Sequence, residues 1–308
     1  MTGSTRRVRL ILHAGTPKTG TKSLQSYLDR NRDALKQVGI LYPSEGLAEL
    51  GLQRHQWLVH VLRSANQTEM QRRLARIGAE MEPATHTVIL STEGLSNHWW
   101  DFPQTSKAML QELCQDFDTS FWIWFREPVE FFDRYYLQSM KNPRVAAIPA
   151  YGRDQSVSDM LDLAWVAKHL EYRTLLADCA RVFGTDAIYA FPHSKDIVAE
   201  VCGLLNTARL DFSAPRENAT ALTATGLDIL RIVNRFSLNF QQKELACDLI
   251  EQINALIRTQ DRPFKMTADE VQRIRQLSDC THETIEALGR DSQERWVTRY
   301  PSTPKPRD

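Results

Sequence analysis

The first half of the chain alternates short apolar runs with stretches of helical spacing. "RLILHA" (9–14), "TVILS" (87–91), "SFWIWFR" (120–126) and "AIYAF" (187–191) are apolar with little alternation, as in strands buried on both faces, and "ILYP" (40–43) adds a short extended piece. Between them, Leu24, Tyr27, Leu28, Leu35 and Val38 keep helical spacing until Gly39, and 55–82 continues it with charge on one face. Pro128 opens a further helix, and another over 156–183 stops at Gly184. Strands separated by helices require crossovers, so the pattern predicts an α/β chain whose parallel sheet is covered on both faces. From residue 221 the pattern turns mainly helical, with "LTATGLDILRIVNRF" and "ELACDLIEQINALIR" clearest, and "LDFSAPRENAT" (210–220) is the seam. The expected domains are an α/β core over 1–220, a helical extension over 221–300 and a proline-rich disordered tail over 301–308.

Composition narrows this only slightly. The 308 residues are 42% hydrophobic and 25% charged, and 38 Lys and Arg balance 38 Asp and Glu. No overall basic field argues for nucleic acid, so any anion site must be local. No apolar run approaches a membrane span. The opening "MTGSTRRVRLILHAG" imitates a signal peptide, but it runs straight into a glycine loop and reads as a first strand. Cysteines 114, 179, 202, 247 and 280 are scattered without a C-x-x-C pair, which predicts reduced core thiols, a cytoplasmic protein and no metal site.

The chemistry gathers where parallel strands end. The first strand delivers "GTPKTGTKS", with Gly15, Lys18, Gly20 and Ser23; the second delivers Glu93; the third delivers Arg126. Backbone N–H groups of 18–23 and the start of the next helix form an anion cradle, and Lys18 adds a point charge. A bare G-x-x-x-x-G is also an ordinary strand-to-helix turn; the added threonines, two lysines and Ser23 favour the cradle. An ATP loop would place its lysine directly after the second glycine, where Thr21 stands, and would pair it with a strand-ending Asp, which no run here supplies. An arginine at the neighbouring strand end suits a nucleotide with a second phosphate away from its reactive end.

"HAGTPKTGTKSLQ" resembles the 5′-phosphosulfate loop of sulfotransferases that use 3′-phosphoadenosine 5′-phosphosulfate (PAPS), and "FWIWFREPVEFFDRYYLQ" resembles their 3′-phosphate segment. With looser likeness in "GILYP", "VILSTEGLS", "EYRTLLADCARVFGTDAIYAF" and "RENATALTATGLDILRIVNRF", the chain is similar to bacterial carbohydrate-type sulfotransferases over roughly 8–238. The resemblance implies a P-loop-like three-layer α/β/α fold, with Lys18, Thr19, Gly20, Thr21, Lys22 and Ser23 on the 5′-phosphosulfate and Arg126 on the 3′-phosphate. It implies a hydroxyl acceptor on a carbohydrate or glycoconjugate, and no metal. Two positions depart from the pattern. Lys22 replaces a Thr or Ser, and Arg134 stands where the family has a serine, eight residues after the strand-ending arginine. Arg134 either adds a charged hydrogen bond to the 3′-phosphate or points away; Ser139 is more than a helical turn off that position.

Lys18 is expected to stabilise charge on the leaving phosphate. The base is Glu93, past the second strand, or His55, which follows the "LYP" loop as in the family pattern. Trp99 and Trp100, with His98, offer a sugar-stacking face or ordinary packing. His13 ends the first strand behind the site, Asn218 lies in a loop that the family places near the nucleotide, and the arginines near 72–76 form a solvated helix face. The loops 44–60, 95–105 and 142–155 are left to shape the acceptor pocket. Two other readings stay open: an ATP-dependent P-loop kinase, and a non-catalytic nucleotide-binding interaction module.

Overall fold

The computed structural model describes residues 7–16, 19–47, 52–146, 148–210 and 222–301. Lys18 and Asn218, and all but residue 301 of the tail, lie outside the described residues. Among those described, β1 (Arg9–His13), β2 (Ile40–Leu41), β3 (Thr87–Ser91), β4 (Asp118–Phe125) and β5 (Ile188–Pro192) form a sheet of order β2-β3-β1-β4-β5. Every pairing is parallel, and Leu12 lies opposite Leu90 on one side and Phe121 on the other. The near-continuous burial of these strands is why their sequences run apolar without alternation.

Helices cover both faces of the sheet. On one face Leu24, Tyr27 and Leu28 from Thr21–Arg30, Val198 and Val201 from Ile197–Leu204, and Trp296 from His282–Arg299 join Ile11, Trp122 and Tyr189 in one core cluster. On the other face Trp99 stacks edge-on to Phe102 and Phe121, and Phe121 stacks on Phe183 of Tyr172–Phe183. Trp99 is wholly buried and its Nε1 donates to Asp178 Oδ2 at 2.7 Å, so of its two expected roles it takes packing. The three-layer α/β/α arrangement is as expected. The helix expected over 55–82 is two, Gln56–Ser64 and Gln67–Glu80, parted where Ala65 turns left-handed and Asn66 caps the second.

By contact the chain falls into two compact units: residues 1–126, 173–215 and 282–308 form one, and 127–172 with 216–281 the other. These limits differ from a core over 1–220 and an extension over 221–300, for reasons visible in the side chains. The helix Pro128–Lys141 buries Phe131, Phe132, Tyr135 and Tyr136 with Leu227, Leu230, Ile250 and Ile274 of the later helices. Helix His282–Arg299 instead lies along β5, the edge of the sheet. Ala190 N–H donates to Ser292 Oγ at 2.9 Å, Arg295 Nη2 donates to the Ile188 carbonyl at 2.8 Å, and Gly289 lets the helix reach Pro192, where a Cβ would collide with its ring. One N–H and one carbonyl of β5 that no strand pairs are thereby satisfied.

The five cysteines are free; Cys179, Cys202 and Cys280 are buried, and Cys114 and Cys247 half-buried. Arg73, expected on a solvated face, is 8% exposed and ion-paired with Glu45 and Glu69, while Arg72 holds Glu69 at the surface. Among the described residues no helix is long and apolar enough to cross a membrane, and no cluster of three or more His, Cys, Asp or Glu forms a metal site.

Candidate active site

The strand order marks a reversal point. From β1 the chain runs past β3 to the edge strand β2 and returns to β3; it then crosses over β1 to β4 and on to β5. Connections after β1 and β4 therefore leave in opposite directions, and ligands of open parallel sheets bind outside the carboxyl ends at such a reversal. The carboxyl end of β1 carries the glycine loop, and that of β4 carries Arg126.

Beyond β1 the backbone first follows β4. Ala14 N–H donates to the Trp122 carbonyl at 2.8 Å, and Thr16 Oγ1 donates to the Trp124 carbonyl, also at 2.8 Å. Thr19 Oγ1 then closes the turn onto the Thr16 carbonyl at 2.7 Å. Gly20 enters the helix Thr21–Arg30 at φ 89°, a conformation that favours glycine, and Ile197 sits 3.1 Å from where a Cβ would stand. A Cβ on Gly15 would collide with Thr21 Oγ1. Among the described residues the first turn of this helix holds no acidic residue and no side-chain cap, a helix start whose N–H groups and dipole favour an anion. Thr19 and Thr21 are buried, Ser23 is half-buried and Lys22 is exposed.

Beneath the loop sits a buried polar layer. His13 hydrogen-bonds through Nδ1 to Ser91 Oγ at 2.7 Å, and Gln25 Nε2 donates to the same oxygen at 3.1 Å. Burial lowers the pKa of His13 to about 3, so the ring is neutral. Its Nε2 is buried and finds no hydrogen-bond partner among the described residues.

Glu93 is joined to the loop through Ser96, whose hydroxyl lies 3.1 Å from the Gly15 carbonyl and 3.0 Å from the Glu93 carbonyl. Glu93 itself is half-buried at the start of the short helix Gly94–Asn97. His55 is placed differently. It is 0% exposed, its Nδ1 accepts from Ser91 N–H at 3.1 Å, and its Nε2 donates to the Pro43 carbonyl at 3.0 Å. Burial lowers its pKa to about 4, and both ring nitrogens are taken up in holding the chain. His60 is exposed.

On the other side of β1, half-buried Arg126 donates from Nη2 to His193 Nε2 at 2.7 Å. His193 follows β5 as Arg126 follows β4, a polar residue ending an apolar run, and sequence reasoning gave it no role; nor did it assign one to Ser96. Behind them Trp124 Nε1 donates to Glu200 Oε2 at 3.2 Å, and burial raises the pKa of that carboxyl. Arg134 is exposed on Pro128–Lys141, in the other compact unit, and Ser139 of that helix is buried.

A scan of family models finds no match to this sequence, and a search of curated proteins finds none either. Among solved structures, a crystal structure of a sulfotransferase from Alicyclobacillus acidocaldarius aligns with 88% of this chain and 96% of that one, at 14% identity and a TM-score of 0.34. An overlap this loose carries no argument about activity.

Proposed function

We propose that the chain is a sulfotransferase that moves a sulfuryl group from PAPS to a hydroxyl of a carbohydrate or glycoconjugate. One arrangement carries the reading. An uncapped helix start behind a tight glycine turn lies on β1, and a strand-ending arginine lies on the adjacent β4. Two anion sites one strand apart suit a nucleotide bearing two separate phosphate groups better than a single polyphosphate chain. Buried Thr19 and Thr21 hydroxyls and an orphaned histidine nitrogen below the loop fit an oxyanion there.

In this reading the N–H groups and hydroxyls of Thr19, Gly20, Thr21, Lys22 and Ser23 hold the 5′-phosphosulfate. Lys18 stabilises charge on the leaving phosphate oxygen. Arg126, braced by His193, takes the 3′-phosphate. The acceptor hydroxyl attacks sulfur, the bond from sulfur to the phosphate oxygen breaks, and the hydroxyl proton passes to the Glu93 carboxylate. His55, with both nitrogens engaged, supports the chain beside β3 rather than serving as base.

Thermal unfolding with adenosine 3′,5′-bisphosphate, with 5′-ADP and with Mg·ADP tests the reading. A ligand at about 100 times its Kd stabilises the folded state by about 2.7 kcal/mol. The expected result is preference for the 3′,5′-bisphosphate without metal. Preference for Mg·ADP makes the loop an ATP site, and a flat response to all three favours a module without nucleotide chemistry.

A further inference from the structure

The buried histidine below the loop has an unfilled bonding position that points at the cradle. His13 is 1% exposed, its ring packs edge-on to Trp124 at 5.3 Å, and its Nδ1 is held by Ser91. Nε2, on the far side of the ring, lies 3.1 Å from the point where a Cβ of Gly15 would stand. Thr19 Oγ1 is 3.2 Å from that point, and Thr21 Oγ1 is closer still. Three buried polar atoms thus ring the bare side of Gly15. Leaving a buried polar atom unpaired is destabilising, a cost that an apolar residue at this position would avoid.

Hydrogen-bond accounting allows a tautomer that faces the loop. A neutral imidazole carries one ring proton. Ser91 Oγ already accepts from Gln25 and keeps its own proton to give; given to His13 Nδ1, it leaves the ring proton on Nε2, facing the loop. Of the two loop hydroxyls, Thr19 already donates to the Thr16 carbonyl at 2.7 Å. Among the described residues Thr21 has only the long 3.4 Å contact with Thr19, so its proton is the one left to turn.

We propose that His13 is a positioning residue for the loop. When an oxyanion is held there, His13 Nε2–H donates to Thr21 Oγ1, and Thr21 in turn donates its proton to the anion. The chain Gln25, Ser91, His13, Thr21, anion then has every hydroxyl accepting on one side and donating on the other, an arrangement in which successive bonds reinforce one another. The inference rests on the reading that this loop holds an oxyanion, but not on that oxyanion being PAPS.

Two substitutions separate the two ends of the ring. His13→Asn keeps an amide where Nδ1 meets Ser91 and removes the reach toward the loop; His13→Gln keeps a donor near the Nε2 position. Binding of adenosine 3′,5′-bisphosphate and of inorganic pyrophosphate is measured calorimetrically, beside the melting temperature of each ligand-free protein. His13→Asn should bind both probes at least tenfold more weakly without a matching loss of ligand-free stability, and His13→Gln should recover most of that binding. Unchanged binding in His13→Asn overturns the proposal. So does equal weakening in both variants that tracks a lower melting temperature, since His13 would then be a packing strut. If the wild-type protein binds pyrophosphate as well as the bisphosphate, the sulfotransferase reading fails and the role of His13 stands on its own variants. If it binds neither, both fall.

Discussion

Arg126 Nη2 donates to His193 Nε2 across 2.7 Å, joining the ends of two neighbouring strands. Because the arginine can only donate, His193 accepts at Nε2 and carries its ring proton on Nδ1. A guanidinium held this way is aimed before a ligand arrives. Arg126→Ala is expected to weaken adenosine 3′,5′-bisphosphate by about 10- to 100-fold, the range of a lost hydrogen bond to a charged group, while leaving 5′-ADP nearly unchanged. His193→Ala should show the same selectivity with a smaller loss. Calorimetric titration of both nucleotides decides it; equal weakening of the two removes Arg126 from a 3′-phosphate site.

Glu93 and His55 separate by readout. With an acceptor found by screening against PAPS, Glu93→Gln should lower kcat by about 10²- to 10⁴-fold with little change in KM, as expected for loss of a general base. Lys18→Ala should likewise cut transfer sharply in a folded protein. His55→Gln should act on stability, because it breaks two buried hydrogen bonds. A folded His55→Gln protein that has lost kcat would return the base to His55.

Gly15 is tested by a single methyl group. In Gly15→Ala the added carbon meets Thr21 Oγ1 and crowds His13 Nε2. The expected protein folds, with a melting temperature a few degrees lower, and no longer gains stability from adenosine 3′,5′-bisphosphate. A wild-type ligand shift in Gly15→Ala would mean that the cradle lies elsewhere.

The two buried histidines set a pH dependence of stability. Burial holds His13 to about 3 and His55 to about 4, below the ordinary value of 6.5, so between these limits the unfolded chain binds more protons than the folded one. Stability therefore rises with pH through this window and is lost as pH falls from 6.5 toward 4. The slope approaches about 2.7 kcal/mol per pH unit where both groups contribute. Glu69, held to about 2 by Arg72 and then Arg73 against an ordinary 4.5, adds a loss of the same sign only from about pH 4.5 downward, while the carboxyl of Glu200, raised by burial, opposes it. Denaturant unfolding from pH 7.5 to 4.5 should show the slope, reduced by about one proton in His13→Gln. An unchanged slope in His13→Gln would contradict the burial of the His13 ring.

Sequence periodicity located each of the five strands within a residue or two, because strands covered on both faces leave unbroken apolar runs. Pro128 at the first turn of Pro128–Lys141 and Gly184 after Tyr172–Phe183 were equally plain. Partnership was harder to read. Trp296 packs 4.6 Å from Trp122, far away in the chain, so nothing local marks its helix as part of the sheet unit. Of the residues proposed for the site, the glycine loop and Arg126 stand out in the sequence because their signals are contiguous. His55 looked like a base from its place after "LYP"; its sealing depends on the Pro43 carbonyl and Ser91 N–H, which only folding brings to it. The pairing of His193 with Arg126 is equally non-local.

The order in which the chain is made gives the cover on β5 a further meaning. Residues 282–299 leave the ribosome after all five strands, yet they carry the hydroxyl and guanidinium that occupy the Ala190 N–H and the Ile188 carbonyl of β5. Until Ser292 and Arg295 emerge, a nascent sheet would present a bare edge, open to pairing with another chain. Closure of that edge thus waits on a helix made after every strand, and a chain cut before residue 282 would leave the Ala190 N–H and the Ile188 carbonyl open to pairing with another chain.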